Sequence, residues 1–228
     1  MENLNDYYSS SQKKSFKCFT FDFASLYDSL SPSLVLRAVR HALDKVHPDW
    51  DPDKIDWLIS LVELSLRSSV GCYKGKWFSQ KVGIATGGSI CVELANIAVY
   101  YVLNEVIYSQ PDMMTDIVSL KRFVDDCVGA YNGTERKFRK WERTVRQKLL
   151  EYNLATEDFV LKLNGIPLPF MDIQFHFDVL GQLHTDLYRK PTDSPSFLNF
   201  SSHHPNHIFS GIVYSHSVRY RRIINCDV

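Results

Sequence analysis

The apolar stretch from Gly87 to Ile107 limits the possible folds more than any other part of the chain. It is long enough to cross a bilayer, yet Glu93, Asn96, Asn104 and Glu105 interrupt it. A lone span in hydrocarbon does not tolerate that many polar groups. The stretch therefore reads as a helix buried inside protein, which other elements must surround. A chain of 228 residues, 45% of them hydrophobic, can supply those layers within a single globular domain. The opening MENLNDYYSSSQKKS has charges but no apolar h-region, so residues 1–15 read as a flexible N-terminus without a secretory signal. The expected location is intracellular, nucleus or cytoplasm, with no membrane partner.

Lys and Arg total 26 against 26 Asp and Glu, so any nucleic-acid-binding surface has to be local. The five cysteines, at 18, 72, 91, 127 and 226, form no C-x-x-C pair. They read as reduced, mostly buried thiols rather than a disulfide framework or zinc ribbon.

Phe19, Phe21 and Phe23 alternate, which predicts a strand over 16–24 with Asp22 near its end. Ser31-Pro32 and Asp51-Pro52 each supply an N-cap and an N1 proline. The first opens a helix with Leu34, Val35, Ala38, Ala42 and Val46 on its apolar face; the second carries Ile55, Leu58, Ile59, Val62 and Leu66 to about Ser69. Cys72-Tyr73 and Trp77-Phe78 flank Lys74-Gly75-Lys76 as a hairpin. Gly83, Gly87 and Gly88 then form a loop opening the long apolar helix, where backbone can be approached closely.

In SLKRFVDDCVGAYNG, β-forming residues flank Asp125 and Asp126, predicting a strand-turn-strand with both acids at the tip. Thr134 caps a helix whose buried stripe is Phe138, Trp141, Val145 and Leu149. Its outer face is basic, with Arg136, Lys137, Arg139, Lys140, Arg143, Arg146 and Lys148. A second basic cluster joins Arg189 and Lys190 to Arg219, Arg221 and Arg222, beyond a hairpin in which Phe170, Met171, Ile173, Phe175 and Phe177 precede HTDLY. Asp172 and Asp186 of that hairpin read as exposed or supporting acids. His203, His204 and His207 lack cysteine partners at zinc spacing.

If the strand of Asp22 and the hairpin of Asp125 and Asp126 lie side by side in an antiparallel sheet, the acids gather hard oxygen donors for divalent metal. Two Mg²⁺ ions so held clamp the attacking and leaving oxygens of an in-line phosphoryl transfer. A solvated turn bearing two acids is the plain alternative.

The order of these motifs resembles the palm of reverse transcriptases. FDFASLY resembles motif A of that family, QKVGIATGGSICVELANI motif B, and RFVDD motif C. The tail FMDIQFHF, TDLYRKPTDSPSFLNFSSHHPNH and SVRYRRI is similar to the segment following the palm in Penelope-like retroelement reverse transcriptases, so the resemblance spans about 16–224. It implies an α+β polymerase palm with an antiparallel sheet packed on helices, 16–178, followed by a post-palm hairpin and partial thumb connection, 179–228. The implied reaction is RNA-directed DNA synthesis: nucleotidyl transfer from a dNTP to a primer 3′-hydroxyl on an RNA template.

The resemblance makes Asp22 and Asp125 ligands of the catalytic Mg²⁺ (or Mn²⁺), with Asp126 a further ligand or electrostatic neighbour. The Phe23 backbone would meet triphosphate oxygens. Tyr27 matches an aromatic gate that excludes a ribose 2′-hydroxyl, with a core aromatic as the alternative. Gln80, Gly83 and Gly87 match the loop near template base and incoming nucleotide. Lys162 lies near the family's general-acid lysine, and Arg139, Arg143, Arg189 and Lys190 are candidates for nucleic-acid contact. Asn96, in LAN, reads as a helix-packing amide. Thr86 and Val92 stand where many relatives have Met and Pro, and Ser25 and Asp28 sit at variable positions.

About 15 residues precede the first strand, so the expectation is a fragment lacking fingers. A catalytically inactive retroelement-derived module that binds nucleic acid or a partner is the alternative.

Overall fold

The computed structural model describes residues 16–163, 165–178, 180–194 and 197–225. The expected flexible segment 1–15 and Cys226 lie outside them. In chain order the elements begin with β1 (Lys17–Asp22), α1 (Leu26–Ser29), α2 (Pro32–Val46), α3 (Pro52–Arg67), β2 (Val70–Tyr73) and β3 (Lys76–Ser79). There follow α4 (Cys91–Leu103), a π-helical turn (Asn104–Tyr108), α5 (Pro111–Met114), β4 (Ile117–Phe123), β5 (Asp126–Tyr131) and α6 (Glu135–Leu150). The last are β6 (Val160–Lys162), β7 (Leu168–Phe170), β8 (Ile173–Phe177), β9 (Leu183–Leu187) and α7 (Asn206–Ile223). Among the described residues the sheets are a four-stranded β4-β5-β1-β6, the pair β2-β3, and a three-stranded β7-β8-β9. The fold is α+β, with antiparallel strands and packed helices, as expected.

The chain packs as two compact units, one of residues 21–127 and 133–159, the other of 16–20, 128–132 and 160–225. In the first, α4 is the central helix. Cys91, Leu94, Ala95, Ala98, Val99, Val102 and Leu103 are buried along it, and Val106 and Ile107 continue the face through the π-turn. The segment Cys91–Tyr108 is long and apolar enough to cross a membrane by length and composition, but half of it is buried inside protein. That burial is the property of a core helix.

The expected caps hold. Ser31 Oγ accepts the Leu34 N–H, an Asp51 carboxylate oxygen accepts the Asp53 N–H, and Thr134 Oγ1 accepts the Lys137 N–H. Each satisfies a donor left over at a helix start. The α6 stripe Phe138, Trp141, Val145 and Leu149 is buried throughout, with the rings of Trp141 and Phe138 against Phe159. On α2 the buried face is shorter than its periodicity predicts: Val46, in the last turn, is exposed.

In the second unit β1 pairs antiparallel with β6, Cys18 opposite Lys162. The alternating segment 170–177 is not one strand. Phe170 ends β7 and Met171, at φ 56°, turns the chain into β8, so the expected hairpin β8-β9 gains a third strand. The sequence reading contains no counterpart of α7, whose 18 residues include none that is fully buried.

Candidate functional site

Asp22 ends β1 just after Phe21, which is buried and stacks on Phe159 with ring centroids 4.2 Å apart. The backbone beyond it is held closely. The Glu157 N–H donates to the Asp22 carbonyl (2.9 Å), the Phe23 N–H to the Asp125 carbonyl (3.2 Å), and the Ala24 N–H to the Ala155 carbonyl (2.9 Å). Ser25 then takes a left-handed conformation, φ 47°, which breaks the strand and starts α1. Strand β1 and the acid-bearing hairpin are therefore neighbours, as the active-site reading requires.

The hairpin tip is a two-residue turn, Val124-Asp125, so Asp126 is already the first residue of β5. This corrects the expectation that both acids sit at the tip. Val124 has φ 51°, an unfavourable conformation for a β-branched residue, costing on the order of 1–3 kcal/mol. Arg122 holds it there. One guanidinium nitrogen donates to the Val124 carbonyl (2.6 Å) and to Asn96 Oδ1 (2.9 Å), and the other donates to the Asn96 carbonyl (3.1 Å). Charge-assisted bonds of this kind are strong enough to offset the turn. Asn96 is thus more than a helix-packing amide: it fixes the Arg122 fork that pins the turn.

The Asp22 carboxyl is raised from its ordinary 3.8 to about 6. Burial is the largest cause, followed by the Asp126 charge and a hydrogen bond with the Asp126 side chain, then the charges of Glu157 and Asp125. Asp126 thus acts on Asp22 through both charge and a side-chain hydrogen bond, and Asp125 acts through charge. Glu157 was missed, because only the close approach of 155–157 to β1 brings it to Asp22. Oxygen donors that must share a proton suit a hard divalent cation, which would let both ionise. Among the described residues, however, no group of three or more His, Cys, Asp or Glu is arranged as a cage for a metal ion.

Tyr27 is half-buried, and its carbonyl accepts the Ile84 N–H (2.8 Å). Gly83 packs against the same segment. A Cβ there would lie 2.5 Å from the Tyr27 carbonyl oxygen and 2.7 Å from Asp28 Cα, and φ is +74°. Gly87, at φ +86°, has nothing within 4 Å of such an atom. Gln80 is exposed, with its side-chain amide donating to the Val82 carbonyl (2.9 Å). Gln80, Gly71, Phe78, Thr86 and Gly87 line a cleft of about 630 Å³.

The basic face of α6 is not a free strip of charge. Arg139 pairs with Glu142 (2.8 Å) and Glu135 (3.7 Å), Arg146 with Glu142 (3.2 Å) and Asp158 (2.9 Å), and Lys137 with Asp116 (3.4 Å). Arg143 is exposed and has no ion pair among the described residues. In the second unit Arg189 donates to the Tyr220 hydroxyl (2.9 Å) and lies 3.7 Å from Asp193. Lys190 is exposed, and Arg219 Nε bonds Asp172 (2.7 Å). Asp186 is exposed and Lys162 partly buried in β6.

No protein-family model and no curated protein matches the sequence. Solved structures do resemble the fold. Telomerase from Candida tropicalis, in complex with a TWJ fragment of telomeric RNA, superposes with a TM-score of 0.62 at 14% identity over 93% of this chain and 35% of that one. Telomerase from Candida albicans, in a complex of the same description, gives 0.60 at 12% identity over 89% and 34%. Apo telomerase from Candida tropicalis truncated from its C-terminal domain gives 0.57 at 12% identity over 82% and 40%. The chain spans about a third to two fifths of the length of these proteins. At such identities the likeness shows a reverse-transcriptase-like fold.

Proposed function

We propose that the chain is the palm of an RNA-directed DNA polymerase, related to Penelope-like reverse transcriptases, that acts on an RNA template, a DNA primer and dNTPs. The observation that carries this reading is the Asp22–Asp126 carboxyl pair, held together where β1 meets a strained turn. Burial and like charge press Asp22 toward the protonated form, and a cation is the partner that relieves both. Asp22, Asp125 and Asp126 would hold Mg²⁺ or Mn²⁺ through hard carboxylate oxygens. The metal, when bound, would supply charge neutralisation for the phosphoryl group and a more acidic primer hydroxyl. The chain's own part is orientation: Arg122 and Asn96 fix the turn, the Phe23 N–H holds the Asp125 carbonyl, and Gly83 packs against the Tyr27–Asp28 backbone. An aromatic at Tyr27 would select deoxynucleotides by bulk. The telomerase neighbours described as complexes with telomeric RNA are consistent with a nucleic-acid partner. Residues 16–178 would serve as palm and 179–228 as connection toward a thumb.

The test is primer extension on a primed RNA template with dNTPs and Mn²⁺ or Mg²⁺, comparing the wild type with Asp22→Asn, Asp125→Asn and Asp126→Asn. Metal-dependent extension lost in all three variants is the expected result. The second reading is a nucleic-acid-binding module without chemistry. That reading predicts RNA binding, no extension, and no thermal shift with either metal.

A further inference from the structure

Hairpin β2-β3 stands apart from the rest of its unit. Every residue from Val70 to Gln80 is exposed, including Tyr73 (66%), Trp77 (74%) and Phe78 (55%). Its geometry is nevertheless well specified. Lys74 and Gly75 both have positive φ, 48° and 75°, the turn that a two-residue hairpin prefers, and the Gln80 N–H closes its base on the Ser69 carbonyl (3.2 Å). A defined hairpin that shows large aromatics to solvent on both faces needs a partner to explain it.

The register sorts those side chains. Directly opposite residues share a face. Gly71 pairs with Phe78 and Tyr73 with Lys76, so one face carries Phe78, Tyr73 and Lys76; Val70 with Ser79 and Cys72 with Trp77 make the reverse face. On the first face Gly71 leaves open space where a side chain would cover Phe78, because a Cβ there would have nothing within 4 Å. Diagonal neighbours on one face lie about 7–8 Å apart, a spacing within reach of planar groups laid between or upon rings. Gly71 and Phe78 also line the 630 Å³ cleft that contains Gln80 and Gly87.

Charge narrows the occupant. From Leu64 to Val92 the sequence holds Arg67, Lys74, Lys76 and Lys81 and no acid. Arg67 is paired with Glu63, whereas Lys74, Lys76 and Lys81 are exposed and form no ion pair among the described residues. Lys74 lies over the Tyr73 ring, 5.3 Å from its centroid. Open aromatic rings interleaved with unpaired lysines fit a single-stranded polynucleotide, whose bases stack on rings and whose phosphates meet cations. An apolar protein surface would leave those lysines unmatched.

We propose that the Tyr73–Phe78 face of this hairpin is a stacking platform for single-stranded RNA or DNA, with Lys74, Lys76 and Lys81 contacting its phosphates and the strand leading into the glycine-loop cleft. The platform deepens the polymerase reading by giving the template a path; its assignment to a template, though not the binding itself, rests on that reading.

The test is fluorescence anisotropy with labelled 12-nucleotide single-stranded RNA and DNA, without divalent metal, across a salt series. Tyr73→Ser combined with Phe78→Ser should weaken binding about 30-fold or more, by loss of two stacking contacts. The triple change Lys74→Gln, Lys76→Gln, Lys81→Gln should lower the slope of log affinity against log salt by about 2. Trp77→Ser, on the reverse face, should leave affinity unchanged, and thermal melts of all three should match the wild type because the residues are exposed. Parallel losses on RNA and DNA mean a platform for either strand, and a larger loss on RNA means one for an RNA template. Unchanged binding in the Tyr73/Phe78 variant overturns the proposal, as does a Trp77→Ser loss of equal size. A change in sedimentation with no change in anisotropy would also overturn it, identifying the face as a contact between copies of the chain. If primer extension fails while these results hold, the polymerase reading falls and the platform stands.

Discussion

The acid-bearing turn and hairpin β2-β3 are both two-residue turns between short antiparallel strands, built in opposite ways. At Val124-Asp125 both turn carbonyls are held: Arg122 grips the Val124 carbonyl, Asn96 grips Arg122, and the Phe23 N–H bonds the Asp125 carbonyl. A β-branched residue remains at positive φ there because its surroundings leave it no alternative. At Lys74-Gly75 the turn residues themselves suit the geometry, and every residue of both strands is exposed. The first turn is made by tertiary contacts and the second by local chemistry. The proposed roles match these origins: reacting groups need fixed positions, whereas a flexible strand of nucleic acid needs an open surface to lie on.

The glycines of one loop repeat the contrast and give the largest expected effect. Gly83→Ala drives a Cβ to 2.5 Å from the Tyr27 carbonyl oxygen, a backbone atom that cannot move aside. It should cost about 3 kcal/mol or more in urea denaturation, with loss of whatever metal response the wild type has. Gly87→Ala meets no atom and bears only the left-handed conformation, about 1 kcal/mol. Equal costs would mean that the Gly83 wall is not packed as described, and the comparison would fail.

Arg122→Met tests what holds the strained turn. It strips partners from Asn96 and from the Val124 carbonyl in a partly buried setting, so a loss of about 2–3 kcal/mol is expected. Asn96→Ala should cost less alone and add little to Arg122→Met, since both act through one network. Full additivity in that double-mutant cycle would show that the Asn96–Arg122 link does not support the turn.

These local and tertiary origins also decide what was legible in the sequence. Ser31, Asp51 and Thr134 were readable as caps because each satisfies an N–H only two or three residues away. The α6 stripe and the glycine turn of β2-β3 were readable for the same reason. Val124 and Met171 were not, since positive φ at residues with side chains carries no composition signal. The turn at Val124-Asp125 therefore left Asp126 in β5 rather than at the tip. Helix α7 escaped because it buries no residue fully, so no apolar period stands out. The pairing of Arg139 and Arg146 with Glu142 is three and four residues in range and could have been read from α6. The approach of Glu157 to Asp22 depends on the fold alone.

The smallest expected effect is on pH dependence, because solvent screens a carboxyl at the edge of the unit. Folded Asp22 holds its proton up to about pH 6, whereas the unfolded chain releases it near 3.8. Between those values the folded state binds more protons, so stability falls as pH rises through the window and is level on either side of it. The groups facing Asp22 are Asp126, Glu157 and Asp125, all of which oppose its ionisation. Asp126→Asn removes the strongest of these charges and should flatten the fall, and Glu157→Gln should flatten it less. Neither of these should change the melting of hairpin variants, which carry no acid. Adding Mg²⁺ above pH 6 should restore stability in the wild type and not in Asp126→Asn, since the cation then lacks one of its carboxylates. Thermal melts from pH 3.5 to 7.5 with and without Mg²⁺ measure all of this. A wild-type profile that rises through the window would mean that Asp22 ionises readily beside Asp126, and the proposed cation site would lose its electrostatic basis.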